Sequence, residues 1–261
     1  MQNLVEFALE AAQKGGAVAL EHYQRHIAGD RLAVEVKSDG SPVSHADRAA
    51  EEAVRAFLTK HFPNDGILGE ELGLTREDAK RRWVIDPIDG TKSFLAGVPL
   101  WGSLIALIEG EDVLVGAASF PVTKDAIAAA PGSGILVQGG KAGVSAIAEL
   151  SQALVVTTDE YFPETPQCIP RWTNLVSKSR LGRSWGDCYG YYLVATGRAE
   201  AMSDGKLSPW DASCFLPIIE EAGGVFTDWQ GKRTVFGEGV LATNRALAVD
   251  VRRALSIPIV A

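Results

Sequence analysis

Trp83-Val84-Ile85-Asp86-Pro87-Ile88-Asp89-Gly90-Thr91 opens with bulky apolar residues, the pattern of a buried strand, and then sets two carboxylates around a proline. The strand is expected to deliver Asp86 at its end, and Pro87, with its φ fixed by the ring, stiffens the turn that brings in Asp89. Two carboxylates held by a rigid bend can share hard cations, and the Ile88 carbonyl can add another oxygen. Oxygen-only ligation suits Mg²⁺ or Mn²⁺ rather than zinc. Gly90 lets a ligand approach the backbone closely. A short helix beginning at Thr91 would turn free N–H groups toward an anion. Asp-x-x-Asp alone is more often an ordinary polar turn at a strand end; the complete string favours a metal site.

Three further pieces join it. Upstream, Gly69-Glu70-Glu71 follows a short apolar run, and Glu70, the nearer to that strand, can reach the same cations; taken alone, a Glu-Glu pair is a solvated acidic loop. Ser44-His45-Ala46-Asp47 fits a capping box, so a water-holding role for Asp47 is not forced locally. Downstream, Ser208-Pro209-Trp210-Asp211 precedes an apolar helix, where Asp211 is either its cap or a fourth carboxylate contributed from the other half of the chain.

Around these pieces the hydrophobic pattern predicts a first helix with Leu4, Phe7, Ala8, Ala11 and Ala12 inward, ending near Gly15-Gly16 or continuing to Tyr23. A second helix is expected over 44–61, with Ala46, Ala49, Ala50, Ala53, Val54, Phe57 and Leu58 inward, broken by Pro63-Asn64-Asp65-Gly66. Strands follow at 67–69, 83–85, 102–108, 113–120, 126–130 and 134–137, with a hairpin turn at 109–112. From about 153 the pattern alternates: strands at 154–157, 225–227 and 240–242, and helices at 189–196, at 212–222 and, capped by Asn244, to 255. Residues 1–150 thus read as a helix-flanked antiparallel sheet and 151–261 as a smaller α/β half, packed as one catalytic unit with the metal site between them.

Composition narrows the function. The chain of 261 residues is 46% hydrophobic with a net charge of −8, which speaks against a nucleic-acid partner. No stretch reaches the ~18 apolar residues of a membrane span, and the acidic, amphipathic start is unlike a leader peptide, so a cytoplasmic protein without membrane attachment is expected. Cys168, Cys188 and Cys214 lack any CxxC spacing and read as reduced thiols. His22, His26, His45 and His61 read as surface or helix-end residues, and no GxSxG nucleophile motif occurs.

In order and spacing, the pieces around Asp47, Glu70, Asp86-Pro87-Ile88-Asp89-Gly90-Thr91 and Trp210-Asp211 resemble the inositol monophosphatase superfamily of Mg²⁺-dependent, lithium-sensitive phosphatases, over nearly the whole chain. The resemblance implies an α+β fold, a layered αβαβα sandwich, commonly a homodimer. It makes Glu70, Asp86, Ile88 (through its carbonyl), Asp89 and Asp211 ligands of roughly two or three Mg²⁺ ions, with Mn²⁺ able to substitute. Thr91 would orient the attacking water, supported by Asp47 or Glu70, and the backbone from Ile88 through Gly90 to Thr91 would hold phosphate. Lys37 sits where the family often offers a basic residue to the phosphate. Paired cations can activate water and stabilise a leaving alkoxide, which matters for a reaction whose barrier must fall by ~20 kcal/mol or more.

The small-molecule phosphate monoester is narrowed by Gly182-Arg183-Ser184-Trp185-Gly186-Asp187-Cys188-Tyr189-Gly190-Tyr191, at the position of the family's Arg-x-x-Gly pocket loop. Inositol-cleaving members carry small neutral residues after that glycine, whereas this loop resembles the histidinol-phosphate phosphatase branch. Asp187 suits an ammonium or imidazolium, and Trp185 or the tyrosines can stack on a planar ring; the plainer alternative is that Asp187 caps the next helix and the aromatics are core. Arg183, Trp185, Gly186, Asp187 and Asp204 are therefore expected to contact substrate, with Asp187 far from the Gly90-Thr91 backbone. The expected reaction is hydrolysis of L-histidinol phosphate to L-histidinol and phosphate, in histidine biosynthesis. The alternatives are an inositol-1-phosphate phosphatase, a broader sugar- or nucleotide-phosphate phosphatase, and, in another class, a silent metal- or phosphate-binding protein.

Overall fold

A computed structural model describes residues 2–30, 32–36, 42–162 and 165–259; Lys37 lies outside the described residues. Helix α1 (Gln2–Ile27) leads through a small hairpin, β1 (Val34–Val36) and β2 (Pro42–Ser44), into α2 (His45–His61). Gly15 and Gly16 do not end α1. They let it press on the sheet: a Cβ at Gly15 would lie 2.5 Å from Ser103 Oγ, and one at Gly16 would lie 3.2 Å from Ser119 Oγ. Val5, Ala8, Leu9, Ala11 and Ala12 form the buried stripe, with Leu4 and Phe7 packed at its edge. On α2 the predicted face is buried at Ala46, Ala50, Val54, Phe57 and Leu58, and Asp47 and Glu51 are buried with it.

Strands β3 (Gly66–Gly69), β4 (Gly73–Thr75), β5 (Arg81–Asp89), β6 (Gly102–Glu109), β7 (Asp112–Phe120), β8 (Asp125–Ala129) and β9 (Ile135–Gln138) form a seven-stranded sheet, with α3 (Thr91–Leu95) between β5 and β6. Its order is β4-β3-β5-β6-β7-β8-β9. The expected antiparallel sheet needs one correction: β3 pairs with β5 in parallel, Gly69 opposite Ile85. The hairpin partner β4 occupies the other edge of β3, so the chain returns to pair on the free side. The parallel pairing brings the C-terminal ends of β3 and β5, and hence Glu70 and Asp86, to the same edge of the sheet.

The second half contributes β10 (Leu154–Val156), α4 (Ile169–Lys178), β11 (Leu181–Arg183), α5 (Asp187–Ala195), β12 (Ala201–Asp204), α6 (Pro209–Ala212), α7 (Phe215–Glu221), β13 (Gly224–Thr227), β14 (Val240–Asn244) and α8 (Ala248–Leu255). Its five strands run in the order β11-β10-β12-β14-β13, the first three parallel and the rest antiparallel. The helix expected over 212–222 is interrupted after Ala212, giving the separate α6 and α7. Asn244 is the last residue of β14 rather than the cap of α8: its Oδ1 accepts the Leu247 N–H at 3.0 Å while its amide donates to the Ser145 and Ile147 carbonyls.

Strand alternation builds the layers. Trp83, Ile85, Ile105 and Leu107 face α1 and α2. Val84, Leu104, Ala106 and Ala118 face the other way, in one core with Tyr191 of α5, Ile218 of α7 and Ala242 of β14. On the far face of the second sheet, Val155 and Leu241 pack with Trp172 of α4 and Val251 of α8. The order is helices, sheet, helices, sheet, helices: an α+β, αβαβα arrangement.

Candidate active site

The strand carrying Asp86 does not stop there. β5 runs on to Asp89, and between Asp86 and Asp89 its register with β6 shifts: Asp86 lies opposite Leu104 and Asp89 opposite Gly102. Pro87 and Ile88 thus face Ser103 alone, two residues against one, a bulge rather than the expected turn. In a regular strand, positions three apart point to opposite faces; the extra residue returns both carboxylates to the same side. Pro87, which has no N–H, is tolerated within that irregular step. The Ile88 N–H donates to Asp86 Oδ1 at 3.1 Å, and Thr91 Oγ1 donates to the Ile88 carbonyl at 3.1 Å. Gly90 has φ 88°, and a Cβ there would lie 2.9 Å from the Leu100 carbonyl oxygen, so glycine is required both by conformation and by space.

Asp211 does both things its sequence context allowed. Its Oδ2 accepts the Ser208 N–H at 2.8 Å in a capping box, and its carboxyl stands in one cluster with that of Asp86. Carboxylate oxygens of Asp86, Asp89 and Asp211 lie within 4.8 Å of one another. Burial, followed by the charges of Glu70, Asp89 and Asp211, holds the Asp86 carboxyl well above the usual range. Burial, then Asp187 and Asp211, does the same to Asp89. Asp211 is pushed up to about 7, chiefly by burial. Acids crowded this closely are compensated by protons or by cations, and an all-oxygen donor set fits a hard divalent cation.

Glu70, Asp86, Ile88, Asp89, Gly90, Thr91, Asp187, Asp204 and Asp211 line one cleft. Asp187 starts α5 with φ 48°, and its N–H donates to Thr158 Oγ1 at 2.9 Å. The Asp187 carboxyl is raised to about 7 by burial and by Asp204, with Lys92 opposing. It is not remote from the Gly90 turn: a Cβ on Gly90 would sit 3.3 Å from Asp187 Oδ2. Asp204 is saturated by donors, taking the Thr158 N–H at 2.9 Å, the Thr158 hydroxyl at 3.1 Å and the Tyr191 hydroxyl at 3.0 Å. Burial raises the Asp204 carboxyl, and these bonds oppose the shift.

Other expected site residues lie outside the cleft lining, although Asp47, its carboxyl raised by burial, is also reached by the Glu70 charge, which adds to the rise. Arg183 is exposed on the edge strand β11, its guanidinium donating to the Gly182 carbonyl at 2.7 Å, and Trp185 is 42% exposed; neither lines the cleft. Gly186 is buried outside the lining, where a Cβ would lie 2.1 Å from Thr158 Cα, so glycine serves packing there. Tyr189 stands edge-on to Phe120 at 5.4 Å, while Tyr191, the tyrosine that does reach the cleft, stacks on Phe215 at 5.0 Å. Asp47 is buried in its capping box, accepting the Ser44 N–H at 2.8 Å and hydroxyl at 2.7 Å, and stays outside the lining. Sequence reasoning passed over Lys92, Thr158, Asp159 and Lys206, which do line the cleft. Lys92 directly follows Thr91 and Thr158 follows the strand expected at 154–157, while Asp159 and Lys206 stand two residues beyond that strand and beyond Asp204, and that nearness was the available signal.

The Inositol monophosphatase family profile matches residues 1–256. The chain is 42% identical to a histidinol-phosphatase of Chlorobaculum parvum over 96% of each chain, and 37% identical to a histidinol-phosphatase of Mycobacterium tuberculosis over 84% of this chain and 86% of that one. Among solved structures it is similar to the extragenic suppressor protein suhB of Bartonella henselae, with a TM-score of 0.90 and 28% identity, covering 98% of this chain and 100% of that one.

Proposed function

The chain belongs to the inositol monophosphatase family and is a phosphatase of that family, and we propose that it is a Mg²⁺-dependent enzyme that hydrolyses L-histidinol phosphate to L-histidinol and phosphate. The observation that carries the substrate is Asp187, a carboxyl in the cleft wall beside the acid cluster. With its carboxyl raised to about 7 by burial and by Asp204, it ionises against the ammonium of histidinol phosphate, a pairing that a polyol does not offer. The names of the two histidinol-phosphatase relatives support the same reading.

In this reading Glu70, Asp86, Asp89, Asp211 and the Ile88 carbonyl hold the cations. When bound, such cations polarise phosphoryl oxygens and lower the pKa of water. The remaining work belongs to the chain. Thr91 Oγ1 has its proton committed to the Ile88 carbonyl at 3.1 Å, which leaves oxygen lone pairs to accept a hydrogen bond from the attacking water. The Gly90 backbone leaves room for the phosphate. Asp204 fixes Thr158, and Thr158 fixes the Asp187 backbone, so the carboxyl facing the organic part of the ester stands on a rigid support.

Phosphate release from histidinol phosphate and inositol-1-phosphate, with Mg²⁺ saturating, tests the proposal. A kcat/KM at least about tenfold higher for histidinol phosphate is expected, since a charge-assisted pairing is worth about 1.5–3 kcal/mol. Preference for inositol-1-phosphate would overturn the substrate, and no turnover of any monoester would leave a silent binding protein.

A further inference from the structure

Nothing in the catalytic reading uses Glu51, yet this glutamate on α2 is completely buried, at 0% exposure. Withdrawing a carboxylate from water is costly unless its oxygens are engaged, and both are. Oε2 accepts the Glu71 N–H at 2.8 Å; Oε1 accepts the Leu72 N–H at 3.2 Å and Arg55 Nε at 2.6 Å. This approach requires glycine at 69, because a Cβ there would lie 1.9 Å from Glu51 Oε1. Arg55 reaches across the same turn to donate to the Gly73 carbonyl. On its other side the turn is tied to β5, where the Glu70 N–H donates to the Ile85 carbonyl at 3.1 Å. Between these two attachments stands Glu70, which lines the cleft with Asp86 and Asp211.

We infer that Glu51 is a positioning residue for the metal site: its carboxylate clamps the turn at 69–72 so that Glu70 is presented to the cations held by Asp86, Asp89 and Asp211. The inference rests on Glu70 being a metal ligand, as proposed above. Hydrogen bonds to the backbone that carries a ligand act on metal affinity through orientation, and losing such a partner typically weakens binding about 10- to 100-fold. Glu51→Gln keeps the size of the side chain but replaces one acceptor oxygen with an NH₂. That group must face either the Glu71 N–H or the Leu72 N–H with Arg55, donor against donor. Arg55→Gln keeps the carboxylate and removes its cation.

Mn²⁺ is titrated calorimetrically into the substrate-free, full-length protein, the two variants and Glu70→Gln, with thermal melts in parallel. Glu51→Gln is expected to weaken Mn²⁺ binding about tenfold or more and Arg55→Gln by less, with turnover recovered at saturating Mn²⁺, a recovery that a damaged fold would not show. Mn²⁺ affinity within about twofold of wild type in both variants, with only a lower melting temperature, overturns the clamp while Glu70→Gln still weakens binding. Unchanged affinity in Glu70→Gln itself overturns the ligand reading and the clamp together. Should Glu51→Gln not fold, Arg55→Gln decides by the same criterion.

Discussion

Asp187 illustrates how one side chain acquires two neighbourhoods. Its sequence context suggests a substrate-facing anion or a helix cap; its place against Gly90 and its influence on Asp89, second only to burial, tie it to the acid cluster as well. Asp187→Asn should lower kcat/KM for histidinol phosphate by about ten- to a hundredfold. A neutral ester such as glycerol-2-phosphate should be affected far less, provided Mg²⁺ is saturating so that any change in metal affinity cancels. Equal losses on both esters under that condition would assign Asp187 to the fold or the metal site. The same cluster makes the metal-free protein sensitive to pH. Asp211 and Asp187 are raised to about 7 in the folded state, against ~3.9 when unfolded. A carboxyl raised by folding binds its proton more tightly in the folded chain, so stability is greatest below the unfolded value and is lost as pH rises from ~4 through about 7. In EDTA the melting temperature should therefore fall between about pH 5 and 8, and added Mg²⁺ should raise it most at the alkaline end. A melting temperature in EDTA that does not change with pH would remove the acid cluster as the cause.

At the scale of elements, periodicity located the longer helices and strands, because apolar spacing and chain breakers are local properties, but it gave no range to the short strands β1, β2, β4, β11 and β12 or to α4. It failed where an element's fate depended on what lay against it. The sequence leaves the end of α1 open between Gly15-Gly16 and Tyr23; the absence of side chains at the glycine pair brings α1 onto β6 and β7, packing outweighs propensity, and the helix runs on to Ile27. The pair therefore separates by substitution. Gly15→Ala gains about 1 kcal/mol of helix propensity but drives a methyl against Ser103 Oγ and Val54, and overpacking of that kind costs about 1–3 kcal/mol. It should be neutral to destabilising in urea unfolding. Gly16→Ala, with 3.2 Å to its nearest neighbour, should be the more stable of the two. The reverse order would mean that α1 does not pack as described. The Asp86-to-Asp89 step is the complementary case: the proline and the paired acids were legible, but whether the chain turned or bulged depended on whether β6 continued to pair with it.

For the whole molecule, a single core joins Val84 and Leu104 of the first sheet to Tyr191, Ile218 and Ala242 of the second half, and the cleft draws its acids from both. Among the described residues no helix is long and apolar enough to cross a membrane. The homodimer implied by family resemblance remains our proposal: sedimentation equilibrium should return twice the 27.8 kDa of the chain, and the monomer mass would refute it. The sequence by itself determined the chemistry available to this protein. Oxygen donors, the Asp-Pro-Ile-Asp-Gly-Thr string and the alternation of strand faces are set by residue type and short-range spacing, and with the family resemblance they single out Glu70, Asp86, Asp89, Thr91 and Asp211 as the expected site. Only the tertiary structure decided which of those groups meet. Parallel pairing of β3 with β5 sets Glu70 beside Asp86; the packing of α6 carries the Asp211 carboxyl to the cluster; Arg183 and Trp185 remain outside the cleft; and a glutamate on a packed helix face clamps the Glu70 turn. Each of these depends on contacts between segments distant in the chain, where burial and hydrogen-bond saturation are properties of the assembled layers and not of any local window.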